Sequence, residues 1–309
     1  MSECIDSNEL LSIVIPTYNR AQILEENLQK MLPDLKKYNI NIYISDDSTN
    51  DDTEIFVKKM ALSYNNIFYY RNHIPLGHDE NCIYSLSLPT SKYVWYLGDA
   101  IIIRTSFFDD IIKLLKSADY DYVCMNADGR DLNVESQLFV DKKSILSKIG
   151  WHLTYSGVTI YSAEVLKRLS IDLNKTRNFP QLALIYKAVK DDIRLFWINS
   201  KVVYSNPNKV SYWGANLFDI FINDLRNLLI YCGFSESDAT FGVRDHAERT
   251  GVFSYYMIAM LRKNNKISVP TVVKFKSLIQ EYTSLNFYFA CILAALPVGL
   301  LKRFFLLKS

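Results

Sequence analysis

The sequence predicts an α/β fold, with a mainly parallel sheet, helices on both of its faces, and a helical C-terminal extension. Two observations indicate this fold. Up to residue 205, short runs rich in β-branched residues alternate with helical patterns, and this alternation is typical of parallel sheets. After the linker-like stretch at residues 206–209, the remaining patterns are helical. We therefore expect one sheet-based part followed by helices.

The first elements are a strand, a loop and a helix. Residues 10–16 form an apolar, largely β-branched run that ends at Pro16. Residues 19–32 then carry apolar side chains at helical spacing. Asn19 is expected to cap this helix, because Gln22 follows three residues later as in a loose capping box.

Three more strands are expected in the first hundred residues. Alternating isoleucines predict a strand that ends at Asp46 and Asp47, and residues 66–72 and 92–99 predict two others. Helical patterns follow the last two, at residues 79–88 and 106–118. Later strands are expected to be mixed in direction, because the patterns between residues 120 and 205 are less regular.

Parallel strands present their carboxyl ends at one edge of the sheet, and ligands of such folds bind there. Three predicted strand ends carry polar residues, at 16–20, at Asp46-Asp47 and at Gly98-Asp99. The sequence therefore predicts one shared crevice lined by these three loops.

Charge and cysteine content limit the possible partners. The net charge of +2 arises from 35 basic and 33 acidic residues, so no overall positive field favours nucleic acid. The five cysteines are scattered and lack CxxC spacing, which argues against a disulfide framework or a zinc site. The first residues show no secretory signal pattern. We expect a cytoplasmic location.

The last segment, residues 285–309, is predicted to be amphipathic and to associate with a membrane. Its apolar run, residues 287–301, is shorter than the roughly 20 residues that span a bilayer, and Pro297 interrupts it. Lys302, Arg303 and Lys308 stand among apolar side chains, a composition that suits an anionic membrane surface. A C-terminal core helix is the alternative.

Three motifs, in this order, resemble those of the inverting family-two glycosyltransferases with the GT-A fold, a Rossmann-like sheet. They are LSIVIPTYNR at residues 11–20, YISDDSTNDDT at 43–53 and YVWYLGD at 93–99. The resemblance is good over residues 10–105, moderate to about 205, and absent beyond. It implies four parts: a nucleotide-sugar-binding half at 9–105, an acceptor-binding half at 106–205, a helical extension at 206–284 and the membrane segment at 285–309.

The resemblance also implies roles for individual residues. Tyr18 would stack near the base, and the carboxylate of Asp47 would accept a base N–H such as the imide of uracil. Each motif also has a structural interpretation, as a strand-to-helix turn, a solvated acidic turn or, for Asn81, the cap of a turn. The full set of expected nucleotide-sugar contacts is Pro16, Thr17, Tyr18, Asn19, Arg20, Asp46, Asp47, Asn81, Gly98 and Asp99.

Asp99 matches the first acid of the family's D-x-D loop, which holds a divalent cation and the diphosphate. Ala100 and Ile101 stand where further acids are usual, and neither offers the oxygen ligands that Mg²⁺ and Mn²⁺ require. Two arrangements remain open. Either Asp99, water and the diphosphate hold the metal, or the cationic side chains of Arg20 and Arg104 neutralise the leaving group.

Inversion requires a base that takes the proton of the acceptor hydroxyl. Gln181 stands roughly where the family has its acid, and a glutamine cannot be a base, so its expected role is an acceptor contact. We consider His152 the substitute, because imidazole has a suitable pKa. A structural histidine is the alternative interpretation of His152, and Asp128 and Asp131 are competing bases.

The resulting prediction is an inverting glycosyltransferase. It would move sugar from a nucleoside diphosphate sugar, expected to be UDP-linked, to a hydroxyl of a lipid-linked saccharide for bacterial O-antigen or capsule synthesis. The expected location is the cytoplasmic face of the inner membrane. The alternative is a degenerate, non-catalytic protein that binds nucleotide sugar within a membrane biosynthetic complex.

Overall fold

The structure is a computed structural model that describes residues 7–187, 193–209 and 214–306. The described chain divides into two units. The first comprises the residues up to 173 together with 179–209, and the second comprises residues 174–178 and those beyond 210. The chain thus enters the second unit just after the linker-like stretch at 206–209. The inclusion of residues 174–178 in the second unit has no signal in the sequence.

The first unit contains the strands. They are β1 (Leu11–Thr17), β2 (Asn41–Asp46), β3 (Ile67–Arg71), β4 (Tyr93–Tyr96), β5 (Ile101–Ile103), β6 (Tyr122–Ala127), β7 (Gln137–Phe139), β8 (Thr159–Ser162) and β9 (Leu195–Ser205).

Eight α-helices of the first unit accompany these strands in the described part of the chain. They are α1 (Ser7–Leu10), α2 (Ala21–Lys37), α3 (Asp52–Ala61), α4 (His78–Ser87), α5 (Phe108–Ser117), α6 (Lys142–Ile149), α7 (Ala163–Arg168) and α8 (Pro180–Lys187). Short 3-10 turns lie at Thr105–Phe107 and His152–Thr154.

The strands form one sheet in the order β3-β2-β1-β4-β8-β6-β9-β5, and β7 also pairs with β9. β1 is parallel to β2 and β4, β2 is parallel to β3, and β6 is parallel to β9. β8 is antiparallel to both of its neighbours, β4 and β6. The strands β6 and β9 consequently run in the same direction as β1, β2 and β4. The α/β fold is confirmed, and β5, β7 and β8 make its second half mixed.

Apolar burial explains why the sheet and its first helix form. Leu11, Ile13 and Val14 of β1 are fully buried, as expected for a central strand covered on both faces. α2 buries Leu24, Leu28, Met31 and Leu35, which recur at helical spacing on one face. The predicted cap is wrong in position: α2 begins at Ala21 after Arg20, and Asn19 has a left-handed backbone conformation, with φ of 51°.

The second unit is helical. It contains a 3-10 turn (Gly214–Asn216), a π-helical turn (Asp219–Asp224) and seven α-helices in its described residues. The helices are α9 (Leu225–Tyr231), α10 (Glu236–Thr250), α11 (Tyr255–Lys263), α12 (Val269–Lys274), α13 (Lys276–Tyr282), α14 (Phe287–Ala295) and α15 (Val298–Leu306). Phe218 stacks on Phe253 and on Phe275, each with a ring-centroid distance of 5.1 Å, and these rings form part of its core.

The predicted membrane segment forms two short helices, α14 and α15, with Pro297 between them. In the part of the chain that the structure describes, no helix has both the length and the apolar character that a membrane crossing requires. Lys308 lies outside the described residues.

Gly157 allows the loop before β8 to pack closely against the residues that flank Asp99. Its φ is +108°, and a Cβ atom there would lie 2.9 Å from Ile101 Cγ2 and 3.2 Å from Leu97 Cδ1. We expect Gly157→Ala to lower the free energy of unfolding by about 2–4 kcal/mol, because backbone strain and overpacking add. Urea denaturation measures this loss.

Gly129→Ala is the matched control, because Gly129 also has a positive φ, +75°, but a Cβ atom there meets nothing within 4 Å. This variant should lose only about 1 kcal/mol from its backbone conformation. Equal losses in the two variants would contradict the packing explanation.

Candidate functional site

Six strands end at one edge of the sheet. Their direction brings the ends of β1, β2, β3, β4, β6 and β9 to this edge. The sequence anticipated the loops after β1, β2 and β4. The structure adds the loop after β6, with Asp128 and Arg130, and the loop after β9, with Asn206 and Lys209. A crevice outside such strand ends is the usual ligand site of an α/β sheet.

The carboxylate of Asp99 joins the loops after β1 and β4. Its Oδ1 accepts a hydrogen bond from Arg20 Nη1 at 2.9 Å, and its Oδ2 accepts one from Thr17 Oγ1 at 3.1 Å. The main-chain oxygen of Asp99 accepts from Asn27 Nδ2 at 2.8 Å. The side chains of Asp99 and Arg20 are 10% and 13% exposed, so this ion pair is only weakly screened by solvent.

Asn27 and Asn206 are two positioning residues that the sequence analysis missed. Asn206 Nδ2 donates to Asn27 Oδ1 at 2.8 Å, and the Asn206 amide donates to the oxygen of Ala100, also at 2.8 Å. Both asparagines are buried. A polar residue on the apolar face of α2 is the only sequence signal that could have identified Asn27.

Asp47 fixes the loop that precedes α4. Its Oδ1 accepts from the Leu76 amide at 2.8 Å and from Asn72 Nδ2 at 3.2 Å, and its Oδ2 accepts from the Gly77 amide at 2.8 Å. Its side chain is nearly buried. Asp47 therefore shapes one wall of the crevice, and its direct contact with a base stays a prediction.

Asp46 is corrected by the structure. It is fully buried, with 0% exposure. Its Oδ2 accepts from Tyr69 Oη at 2.7 Å and from Arg71 Nη1 at 3.4 Å, and its Oδ1 accepts from the Ser48 amide at 2.9 Å. A carboxylate without exposed surface cannot touch a nucleotide, so Asp46 positions the loop after β2 instead.

Asn81 is buried to the same degree as Asp47. Its Oδ1 accepts from Ser45 Oγ at 2.6 Å, and its Nδ2 donates to the oxygen of Ser45 at 3.2 Å. These bonds join α4 to β2. They do not cap a turn, and contact between Asn81 and a base stays a prediction.

Tyr18 and Asn19 occupy the outer part of the first loop. The Tyr18 ring is 47% exposed, so one of its faces is available for stacking. The Asn19 amide donates to Ser48 Oγ at 2.8 Å, and its Oδ1 accepts from the Thr49 amide at 3.0 Å. Asn19 therefore joins the first loop to the second and holds Tyr18 at their junction.

Pro16 and Gly98 complete the predicted set. Pro16 is partly exposed in β1, where it pairs with Ser45 of β2. Gly98 lies directly before Asp99, and a Cβ atom there would lie 3.2 Å from Ser156 Cβ. A side chain at Gly98 would therefore crowd the loop before β8. Nucleotide contact by either residue stays a prediction.

The residues present do not fit a protein-held divalent cation. Asp99 is the first acid of the loop after β4, both of its oxygens already accept hydrogen bonds, and Ala100 and Ile101 are buried and apolar. Mg²⁺ and Mn²⁺ require several oxygen ligands. Within residues 7–187, 193–209 and 214–306, no three His, Cys, Asp or Glu residues are arranged to hold a metal.

Two cations near the ion pair of Arg20 and Asp99 were not anticipated. Arg130 and Lys209 stand over the same ring, that of Tyr155, at 5.1 Å and 5.7 Å from its centroid. Lys209 interacts electrostatically with Arg20, Asp99 and Arg130. The Tyr155 hydroxyl is 2.6 Å from Ser205 Oγ at the end of β9. We call Arg20, Arg130 and Lys209 the cation cluster.

Arg104, the other expected cation, forms its contacts with Asp128 and Lys201. Its Nη2 pairs with Asp128, and its Nη1 donates to the oxygen of Lys201 at 2.9 Å. Arg104 therefore orients Asp128 at the end of β6, and these contacts do not support the expectation that it neutralises a leaving group.

The structure contradicts the hypothesis that His152 is the base. Its ring is fully buried and lies edge-on to Trp151 and Trp197, at centroid distances of 5.4 Å and 5.2 Å. Its Nε2 donates to the oxygen of Met125 at 3.2 Å. Burial, and then the charge of Arg130, lower the pKa of His152 from 6.5 to about 3. The structural interpretation of this histidine is the correct one.

Gln181 and the two competing aspartates differ in accessibility. Gln181 is the second residue of α8 and is buried, so it presents almost no surface to an acceptor, and its expected acceptor contact is not supported. The side chain of Asp128 is 40% exposed and pairs with Arg104 and Lys201. Asp131 is 74% exposed and pairs with Lys201. Asp128 follows β6 directly, at the edge that also carries Asp99.

Comparisons with known proteins place this site in context. Residues 12–165 match the sequence model of the family described as glycosyl transferase family 2. The abequosyltransferase RfbV of Salmonella typhimurium is 37% identical over 177 residues, which are 51% of this chain and 52% of RfbV. The chain therefore spans about half of the length of this relative.

A second relative and a solved structure agree with this match. The GalNAc(5)-diNAcBac-PP-undecaprenol beta-1,3-glucosyltransferase of Campylobacter jejuni is 30% identical over 90 residues, 29% of each chain. The mannosyltransferase PcManGT from Pyrobaculum calidifontis, in complex with GDP-Man and Mn²⁺, has a TM-score of 0.58 at 14% identity, covering 97% of this chain and 88% of its own. This similarity confirms the GT-A fold.

The burial of His152 leads to a pH prediction. The native state keeps the ring neutral down to about pH 3, while the unfolded chain binds a proton below pH 6.5. The contribution to stability is thus complete above pH 6.5 and decreases as the pH falls towards 3, by about 1.4 kcal/mol per pH unit. The ring resonances of His152 in NMR spectra should not shift between pH 8 and pH 5.

Free imidazole in the same sample is the control, because it titrates in that range. A His152 resonance that follows the reference would show that the ring reaches solvent, and would restore this residue as a possible base.

Proposed function

The chain belongs to glycosyl transferase family 2 through residues 12–165, and on this premise we propose that it transfers a sugar from a nucleoside diphosphate sugar to an acceptor hydroxyl with inversion. The observation that carries the proposal is the Asp99 carboxylate, held between Thr17 and Arg20 at the edge where six strands end. The same edge carries the exposed ring of Tyr18, the cation cluster and the half-exposed carboxylate of Asp128.

The donor half of the crevice suits a nucleotide. The exposed ring of Tyr18 can stack on a base, as aromatic side chains do in nucleotide sites. The loop walls next to it are held by the buried hydrogen bonds of Asp47 and Asn19. Loops that are already held in place favour binding, because little conformational entropy is lost when the ligand enters. The proposed base is uracil, which offers an imide N–H to an acceptor such as Asp47.

We assign the role of general base to Asp128. The acceptor hydroxyl attacks the anomeric carbon, the bond from that carbon to the diphosphate oxygen breaks, and the hydroxyl proton moves to the Asp128 carboxylate. The ion pairs with Arg104 and Lys201 hold this carboxylate at the end of β6. Its half-exposed position leaves room for an acceptor, which the buried His152 and Gln181 do not offer.

The proposed acceptor is a saccharide linked to a lipid at the cytoplasmic face of the inner membrane. The Campylobacter relative is named for a PP-undecaprenol-linked acceptor. In this chain, α14 exposes Tyr288, Phe289 and Ile292 on one side, at 70%, 45% and 56%. The exposed Lys302 and Arg303 follow, with no acid between residues 287 and 303. An apolar face beside cations suits an anionic membrane surface. O-antigen or capsule synthesis is the corresponding pathway class.

One observation favours the alternative, a degenerate protein that binds nucleotide sugar without catalysis. Gln181, which is buried, and the apolar Ala100 and Ile101 stand at positions where the family resemblance leads one to expect acids. A protein of this kind would bind nucleotide sugars without turning them over.

Slow hydrolysis separates the two candidates, because water can replace an unknown acceptor. We expect the purified chain to release nucleoside diphosphate from at least one sugar in a panel of UDP, GDP, CDP and dTDP donors. Asp128→Asn should reduce kcat by about 10²–10⁴-fold, as loss of a general base does, with little change in the Kd of the donor.

Asp131→Asn is the control, because this acid also pairs with Lys201 but is more exposed. Melting temperatures of both variants exclude simple unfolding. A larger loss in Asp131→Asn would transfer the role to that residue, and no hydrolysis or transfer with any donor would favour the degenerate candidate.

The membrane proposal is tested by sedimentation with vesicles. The full chain should bind vesicles rich in phosphatidylglycerol more tightly than neutral ones. The double variant Tyr288→Ser/Ile292→Ser should lose about tenfold or more in affinity, because each side chain buries apolar area in the interface.

Ile55→Ser/Leu62→Ser is the matched control, because it removes two comparably exposed apolar side chains, at 66% and 87%, from the α3 region of the first unit. Equal effects of the two double variants, or no sedimentation of the full chain, would exclude α14 as the membrane contact.

A further inference from the structure

The guanidinium group of Arg130 is enclosed among neutral groups. Its Nη1 donates to the oxygen of Trp151 at 3.0 Å, to Thr154 Oγ1 at 2.8 Å and to the oxygen of His152 at 3.4 Å. Burial lowers the pKa of Arg130 to about 10, which still leaves the group charged at neutral pH. Within the described ranges, no carboxylate forms an ion pair with it.

Lys209 is a second cation of this kind. Its ammonium group stands 5.7 Å from the centroid of the Tyr155 ring, the same ring that Arg130 approaches. Burial, followed by the positive charge of Arg20, lowers the pKa of Lys209, and Asp99 opposes this effect. Among the residues that the structure describes, none forms an ion pair with its Nζ. The protein thus keeps two partly desolvated cations side by side.

The charges of the cation cluster and Asp99 do not balance. The cation cluster contributes three positive charges, and Asp99 contributes one negative charge, which is bound to Arg20. Desolvated charges without partners are unfavourable unless a ligand compensates them. A doubly or triply charged anion at this place would do so. The diphosphate of a donor has the required charge, and it would bind where the family resemblance places a metal ion.

We propose that Arg130 and Lys209, together with Arg20, bind the donor diphosphate directly and replace the divalent cation. This inference rests on the proposed function, and it explains why Ala100 and Ile101 can stand where further acids are usual. A cation cluster and a metal ion are alternative means of neutralising the same charge. Among the described residues, no group of acids is arranged to hold a metal, while Arg130 and Lys209 form no ion pair there.

The two new cations have distinct roles in the transfer step. When the bond from the anomeric carbon to the diphosphate oxygen breaks, the electron pair remains on that oxygen. Arg130 is held by three hydrogen bonds and offers a rigid donor group to phosphate oxygens. Lys209 has a flexible stem, so its ammonium group can follow the oxygen as its charge grows. The acceptor proton goes to Asp128, so atoms and charges balance.

Calorimetric titration in EDTA tests the inference without relying on turnover. The probes are inorganic pyrophosphate, UDP, GDP and CDP, and uridine as a ligand without phosphate. The full chain should bind pyrophosphate and at least one nucleoside diphosphate in EDTA, and added Mn²⁺ should change the affinity little. Lys209→Met and Arg130→Met should each weaken diphosphate binding by about tenfold or more, as loss of a charged hydrogen bond does, and should leave uridine binding unchanged.

Lys59→Met is the matched control, because Lys59 is an exposed lysine of α3 in the same unit. Circular dichroism and melting temperature show whether each variant folds. If Arg130→Met does not fold, Lys209→Met still decides the test.

The outcomes separate this inference from the proposed function. Binding of nucleoside diphosphates only with Mn²⁺, or unchanged affinity in Lys209→Met, would overturn the cation cluster and leave the transferase proposal standing. No binding of any nucleoside diphosphate, with or without Mn²⁺, would overturn both.

Discussion

The ion pair between Asp99 and Arg20 is the interaction on which the site depends. It connects the loop after β4 to the start of α2, and Thr17 donates a hydrogen bond to the second carboxylate oxygen of Asp99. The main chain of the same loop is held by Asn27 and Asn206. The buried position makes this pair effective, because solvent and salt screen it little. Loss of one partner would leave a desolvated charge, which is far more unfavourable than loss of an exposed pair.

Most polar residues that the motifs single out act on the protein itself. Asp47 holds the loop before α4, Asp46 holds Tyr69 and Arg71, and Asn81 ties α4 to β2. The ring of Tyr18 stays exposed between these anchored loops. Buried polar networks of this kind make a site rigid when every member is satisfied. A motif residue can therefore shape a nucleotide site through its hydrogen bonds to the protein, whether or not it also contacts the nucleotide.

The loop after β4 and the second half of the sheet carry complementary charge features. The loop after β4 lacks the acids that a metal would need, and the loops after β6 and β9 bring Arg130 and Lys209 to the same edge. A divalent cation and a set of basic side chains offer a phosphate the same electrostatic compensation. The cation-cluster proposal accounts for two observations together: the apolar residues after Asp99, and the position of Arg130 and Lys209, for which the described part of the chain offers no ion pair.

The sequence by itself determined the α/β class, the three converging strand ends and the position of Asp99 at one of them, because strand and helix periods and turn residues are local signals. Only the tertiary structure decided that β8 lies antiparallel between β4 and β6, which turns the ends of β6 and β9 towards the same edge. It also decided that His152 is enclosed by two tryptophans and that Asn81 is buried. Strand order and burial arise from contacts between residues far apart in the chain, and no local pattern records them.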